Sequence, residues 1–271
     1  MAPATQYGFL GGGAMAESIV RALLASGAAP ASAIAASDVA AQRRAALSAL
    51  GIRVTSANEE VAAGAEIIVI AVKPGVVPQV LAEVGPAVRA EQLVISIAAG
   101  VPLARVEAAL ADDVPAVRAM PNILIAARAG ATALTPGRRA TAEHVAIARR
   151  LFEAGGRVVE VPEALLDAVT GLSGSAPAFV MLFIEALADG GVLAGLPREI
   201  AMTLAIQTVL GAAKLLEERG EHPGTWKDRV ATPAGTTIAG LAELENAGVR
   251  GAVMRAVAAA AQRARELSGG S

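Results

Sequence analysis

The chain has 271 residues, 54% of them hydrophobic, enough to bury a sizeable core in one large domain or two ordinary ones. A formal charge of −2 gives no electrostatic reason for a nucleic acid or an anionic membrane as partner, which leaves small molecules and protein subunits. With no cysteine, disulfides, thiolate catalysis and Cys-ligated metals are excluded, and His144 and His222, each alone on a polar stretch, are too few to build a metal site.

Residues 1–6 carry no basic region followed by an apolar core, and a strand begins at once at Tyr7, so a cytoplasmic protein is expected, or one whose targeting peptide lies outside this sequence. The apolar runs are short: Ile67 to Val72 is brief, and Ala176 to Leu187 is broken by Pro177 and Glu185. Nothing is therefore expected to approach a membrane span, and a soluble protein is read. Aromatic residues make up only 2%, so helices rich in alanine and leucine must pack closely, which suits an oligomer.

Short β-type runs alternate with helical stretches through the first part, the pattern of βαβ units and a parallel sheet. Strands are predicted at Tyr7–Leu10, Ala33–Ser37, Ile67–Val72, Leu93–Ile97, Ala116–Met120, Thr132–Leu134 and Val158–Val161. Helices are predicted at Ala14–Ser26, Ala40–Leu50, Val77–Val84, Leu103–Leu110 and Thr141–Glu153, with Gly27, Gly51 and Gly155 as stops. After Pro162 the strand signal ends and helices follow, broken at 171–177, 195–197, 222–224, 232–235 and Gly248. Pro197 stands at the first position of a helix running to about Arg219. The expectation is an α/β fold of two domains: a Rossmann-type dinucleotide-binding domain over residues 1–162, and an all-helical domain over residues 163–271. Ser268–Ser271 reads as a flexible polar tail.

The first strand feeds Gly11-Gly12-Gly13-Ala14-Met15-Ala16 and then a helix, the G-x-G-x-x-A context of a dinucleotide site. Gly11 permits the tight turn, Gly13 the approach of the pyrophosphate, and Ala16 close helix–strand packing. The diphosphate would meet free N–H groups at the helix start. At the end of the second strand Ser37 suits a 2′-phosphate or a 2′-hydroxyl, Asp38 favours NAD, and Arg43 and Arg44 favour a phosphate, so NADH and NADPH both stay open. Ala71-Val72-Lys73-Pro74 and Ala98-Ala99-Gly100 end two further strands and should border the cofactor. Lys73 reads better as a positioning or exposed residue than as a proton donor.

Two polar breaks, Asp167–Phe179 and Lys227–Ile238, each end at a helix start supplied with hydroxyls and N–H groups, fit to receive a carboxylate or to be capped by Ser175 and Thr236. The segments Phe9–Ala16, Ala71–Pro74, Ala98–Val101, Asp167–Pro177, Ala186–Gly191, Gly195–Pro197, Gly211–Lys214 and His222–Gly224 followed by Pro233–Thr237, in that order, resemble pyrroline-5-carboxylate reductase over essentially the whole length. The resemblance implies reduction of a cyclic imine, Δ1-pyrroline-5-carboxylate, to L-proline by NADPH or NADH. It implies that Ser175, Ala234, Gly235, Thr236 and Thr237 bind substrate, with Thr237 as the catalytic residue near the ring nitrogen. For the cofactor it implies Leu10, Gly11, Gly12, Gly13, Ala14, Met15, Ser37, Asn58 at the adenosine end, Ala71, Val72, Lys73, Pro74, Ala98, Ala99 and Gly100. It also implies a homodimer interlocked through the helical domain, with larger rings of dimers common.

Ile123-Leu124, after Met120-Pro121-Asn122, departs from the usual small polar residue and proline, and Ala176 and Ala234 stand where glycine is usual, which bears on pocket volume. The rival β-hydroxyacid dehydrogenases need a lysine where Ala178 stands in Gly171-Leu-Ser-Gly174-Ser-Ala-Pro-Ala178. An imine is basic enough to be substantially protonated near neutral pH, so positioning, worth on the order of 7–11 kcal/mol in favourable cases, replaces a strong acid. A nucleotide-binding protein without chemistry would need neither hydroxyl-rich break.

Overall fold

The computed structural model describes residues 5–269. Residues 1–4 of the N-terminal stretch and residues 270–271 of the polar tail lie outside it. In chain order the elements are β1 (Thr5–Leu10), α1 (Ala14–Ser26), β2 (Ile34–Ser37), α2 (Ala41–Ser48), β3 (Arg53–Thr55), α3 (Asn58–Gly64), β4 (Ala65–Ile70), α4 (Val77–Val84), β5 (Leu93–Ser96), α5 (Leu103–Glu107), β6 (Ala116–Met120), β7 (Gly130–Pro136), α6 (Ala142–Glu153) and β8 (Gly156–Glu160). Then come α7 (Leu166–Val169), a π-helical turn at Thr170–Gly174, α8 (Ala176–Leu193), α9 (Arg198–Arg219), α10 (Pro223–Val230), α11 (Thr236–Asn246) and α12 (Val249–Leu267).

The eight strands form one sheet in the order β3-β2-β1-β4-β5-β6-β7-β8. All neighbours are parallel except β6 and β7, which run antiparallel. The cause is the connection: residues 121–129 hold only a 3-10 turn at Ile123–Ala127, ended by Arg128 at φ 53°, too short for the crossover that a parallel pair needs. That turn is also the shape of the Ile123-Leu124 loop.

Both sheet faces are covered, which explains the nearly unbroken apolar strands. On one face Phe9, Val69, Ile95 and Val117 pack with Ile19 and Leu23 of α1 and Leu151 and Phe152 of α6. On the other, Leu10, Ile68, Ile70 and Val94 pack with Val80 and Leu81 of α4 and Leu103 and Val106 of α5. Each such side chain, fully buried, contributes about 1.5–3 kcal/mol.

The chain divides into two compact units, residues 5–174 with 260–269, and residues 175–259. The sequence marks the break after Pro162, where strands end; compactness carries the first unit on to Gly174. The reason is polar: Glu163 Oε1 accepts from the Leu103 N–H at 2.7 Å and from Arg118 Nη1 at 2.9 Å, and Leu166 is buried. In the second unit α8 and α9 meet through small residues, Ala188, Ala201 and Ala205, backed by Ile184, Val192 and Met202.

Two helical stretches, Glu163–Leu193 and Arg198–Arg219, are long and apolar enough to cross a membrane by length and composition, contrary to the expectation that nothing approaches a span. Pro177 does not break the first: it stands in the opening turn of α8, where its missing N–H costs nothing, and Glu185 is a single charge within the helix. Met181, Leu182, Leu193, Leu204 and Leu210 are exposed on the isolated chain.

Candidate functional site

The carboxyl ends of β1, β2, β4 and β5 are tied edge to edge. The Gly11 N–H donates to Ser37 O at 2.9 Å, the Ala71 N–H to Leu10 O at 2.8 Å and the Ile97 N–H to Ile70 O at 3.1 Å. These bonds gather Leu10–Met15, Ser37, Ala71–Pro74 and Ala98–Gly100 along one edge of the sheet, the side on which ligands of open α/β sheets bind.

Each turn glycine has its own reason. Gly11 adopts φ +101°, and a Cβ there would stand 2.8 Å from Ala71 O and from Val72 Cγ1. A Cβ on Gly12 would reach 2.7 Å from Leu47 Cδ1, whereas one on Gly13 would meet nothing within 4 Å. Gly13 therefore opens onto free space at the start of α1, where no side chain caps the helix. That space, beside N–H groups carrying the positive end of the helix dipole, fits a diphosphate.

Ser37 is buried and donates to Asn58 Oδ1 at 2.7 Å, while Asn58 Nδ2 donates to Glu83 Oε2 at 2.8 Å. The two residues expected at the adenosine end thus touch. Arg44 Nη1 donates to the carbonyls of Asp38 and Val39 at 2.8 and 2.9 Å, and the half-exposed Arg43 lies 3.9 Å from Glu17 Oε2. Lys73 and Pro74 are exposed, Ala71, Val72, Ala99 and Gly100 half-buried and Ala98 buried, with Gly100 at φ +73°.

Ser175 and the segment Ala234–Thr237 belong to the other compact unit, at the starts of α8 and α11. Their hydroxyls do not cap these helices, since neither helix start has a side-chain cap bond, and Gly235 rather than Thr236 is the N-cap of α11. Thr237 is half-buried and Thr236 exposed. A Cβ on Gly235 would lie 2.3 Å from Thr232 Oγ1, so a larger residue there would have to turn the Thr232 hydroxyl aside. Ala234 holds φ +55°, a left-handed conformation costing a residue with a Cβ roughly 1–2 kcal/mol, so its extra methyl acts on the backbone of the turn.

Sequence reasoning passed over Asn122 as a site residue. It is buried; its Oδ1 accepts from the Ala131 N–H at 3.1 Å and its Nδ2 donates to Ser173 O at 3.0 Å, fastening the π-helical turn that leads into Ser175. Ser96, at the end of β5, has a buried hydroxyl without a partner. The residue types alone, a polar side chain inside an apolar strand or beside a proline, were the available signal. Burial raises the pKa of the Tyr7 phenol, on β1.

Residues 163–267 match a family described as pyrroline-5-carboxylate reductase dimerisation, and residues 6–100 one described as NADP oxidoreductase, coenzyme F420-dependent. A pyrroline-5-carboxylate reductase of Methanosarcina acetivorans is 48% identical over 97% of this chain and 97% of its own. One of Pisum sativum is 45% identical over 96% of this chain and 95% of its own. Among solved structures, a pyrroline-5-carboxylate reductase from Coxiella burnetii superposes with a TM-score of 0.90 at 34% identity, covering 97% of this chain and 98% of the other. A Plasmodium falciparum pyrroline carboxylate reductase with NADP bound gives 0.88 at 28%, covering 100% of both. A prephenate dehydrogenase from A. aeolicus, at 15% identity and TM-score 0.54 over 91% of this chain and 98% of the other, shares the fold alone.

Proposed function

The chain belongs to the pyrroline-5-carboxylate reductase family, and on that premise we propose which of its residues carry the reaction. It is an NAD(P)-dependent oxidoreductase acting on a C=N bond: 1-pyrroline-5-carboxylate gains a hydride at the imine carbon and a proton at nitrogen, giving L-proline at the last step of proline biosynthesis. Bound NADPH or NADH supplies the hydride.

The glycine turn and the strand ends at Ala71–Pro74 and Ala98–Gly100 hold the dinucleotide, with Ser37 and Asn58 at its adenosine end. Ser175 and Ala234–Thr237 receive the substrate, its carboxylate on helix-start N–H groups. Thr237 hydrogen-bonds the ring nitrogen, and water is the ultimate source of the proton. The observation that carries this reading is that the starts of α8 and α11, rich in hydroxyls, are left without side-chain caps. The helical unit pairs with a second copy of the chain to make a homodimer, and rings of dimers are the larger assembly; the cytoplasm is the compartment, with neither membrane nor nucleic acid as partner.

Oxidation of NADPH and NADH, followed by absorbance with pyrroline-5-carboxylate and with β-hydroxyacid substrates, tests the reaction: turnover with the imine alone is expected. Thr237→Ala should lower kcat/KM by about 10-fold to 100-fold, the usual scale for losing one oriented hydrogen bond to a reacting centre. Full kcat/KM in that variant would remove Thr237 from its role.

A further inference from the structure

Asp38 stands one residue beyond β2, where a dinucleotide fold commonly places the acid that binds the ribose 2′-hydroxyl. Here every polar group of the residue has a partner within the chain. Oδ2 accepts from the Gly12 N–H at 2.8 Å and Oδ1 from the Ala40 N–H at 2.8 Å. Its own N–H donates to Thr55 O at 3.2 Å, and its carbonyl accepts from Arg44 Nη1 at 2.8 Å. The carboxylate therefore spans two backbone amides, one from the glycine turn and one from the approach to α2.

Gly12 is buried, and its N–H has this carboxylate as acceptor; an amide buried without an acceptor is destabilised by the full loss of its hydration. Removing the carboxylate would let the turn shift toward water. The turn is held from the other side by the Gly11 bond to Ser37 and by the contact of Gly12 with Leu47, so the Asp38 bond completes a three-sided grip on the residues that face the diphosphate.

We propose that Asp38 is a positioning residue of the glycine turn and not the reader of the ribose. It strengthens the binding of NADPH and NADH by the same factor and confers no preference between them. The two roles differ in sign. A carboxylate that reads the ribose accepts from the 2′-hydroxyl of NADH and repels the 2′-phosphate of NADPH, so its loss weakens one ligand and tightens the other. A carboxylate that holds the turn serves the diphosphate, which both ligands share.

The inference rests on the family reading of the cofactor. The test measures dissociation constants of NADPH and NADH by nicotinamide fluorescence on the full chain, for wild type, Asp38→Ala and Asp38→Asn, with thermal midpoints alongside. Asp38→Ala is expected to weaken both ligands by about tenfold with their ratio unchanged, the size of one lost charge-assisted hydrogen bond. Asp38→Asn, which keeps one acceptor for the Gly12 N–H, is expected to recover part of that loss. A ratio that moves toward NADPH in either variant overturns the proposal, as does unchanged affinity for both ligands. A general loss of structure would lower the midpoint of Asp38→Ala and leave Asp38→Asn to decide. Wild type binding neither ligand would fail the cofactor reading itself, an outcome separate from any change of ratio.

Discussion

Three glycines of the sheet unit and three inside helices of the helical unit have opposite surroundings. A Cβ would fall 2.0 Å from Gly130 O at Gly156, 2.2 Å from Ala109 O at Gly85 and 2.7 Å from Ala65 Cβ at Gly8. At Gly190, Gly211 and Gly240, all inside helices of the other unit, it would meet nothing within 4 Å. The first unit is filled by its own atoms. In the second, glycines that each weaken a helix by about 1 kcal/mol relative to alanine meet no atom beyond their own helix backbone, in a unit that also exposes leucines and methionines. Such a surface is shaped for close approach by another helix, in keeping with the dimerisation family matched over residues 163–267.

Three substitutions test this contrast. The largest effect is expected from Leu204→Asp, on the exposed face of α9: an unpaired charge pressed into an apolar interface costs about 3–5 kcal/mol, so size-exclusion chromatography with light scattering should show monomers. An unchanged oligomer would mean that this face is free after all. Next, Gly12→Val forces Leu47 aside in a filled unit and should weaken NADPH by about 100-fold in a fluorescence titration, since a displacement of about 1 Å at an aligned site has that scale. Retained affinity would show that the sheet unit yields more than its packing implies. Smallest is Gly211→Ala, which in a free helix would stabilise by about 1 kcal/mol and raise the thermal midpoint. We expect the midpoint not to rise, because the added methyl meets the neighbouring copy.

Sequence and structure part where signals are short or nonlocal. Strands with two covered faces, such as Ile67–Ile70 and Leu93–Ser96, announce themselves by continuous apolar residues, and the observed β4 and β5 differ from the expected runs only at their ends. β3 and α3 escape such reading: β3 is a three-residue edge strand beginning with an exposed arginine, and α3 passes directly into β4 with no loop between. Pro177 resembles a helix breaker because its place in the first turn depends on where α8 starts. In the site, the glycine turn is legible because its geometry is local. The bonds of Asp38 to Gly12 and of Asn122 to Ser173 join residues far apart in the chain, and no spacing rule exposes them.

Residues 260–269 return to the sheet unit, and the backbone of Ser268 lies 3.5 Å from where a Cβ of Gly100 would stand. During synthesis a chain emerges N-terminus first at about 5–20 residues per second. Both sheet cores draw on side chains up to Phe152, so the sheet can collapse while the helical segment is still being translated. The loop Ala98–Gly100 receives its last neighbour only when α12 has been made, which ties maturation of the cofactor edge to completion of the polypeptide.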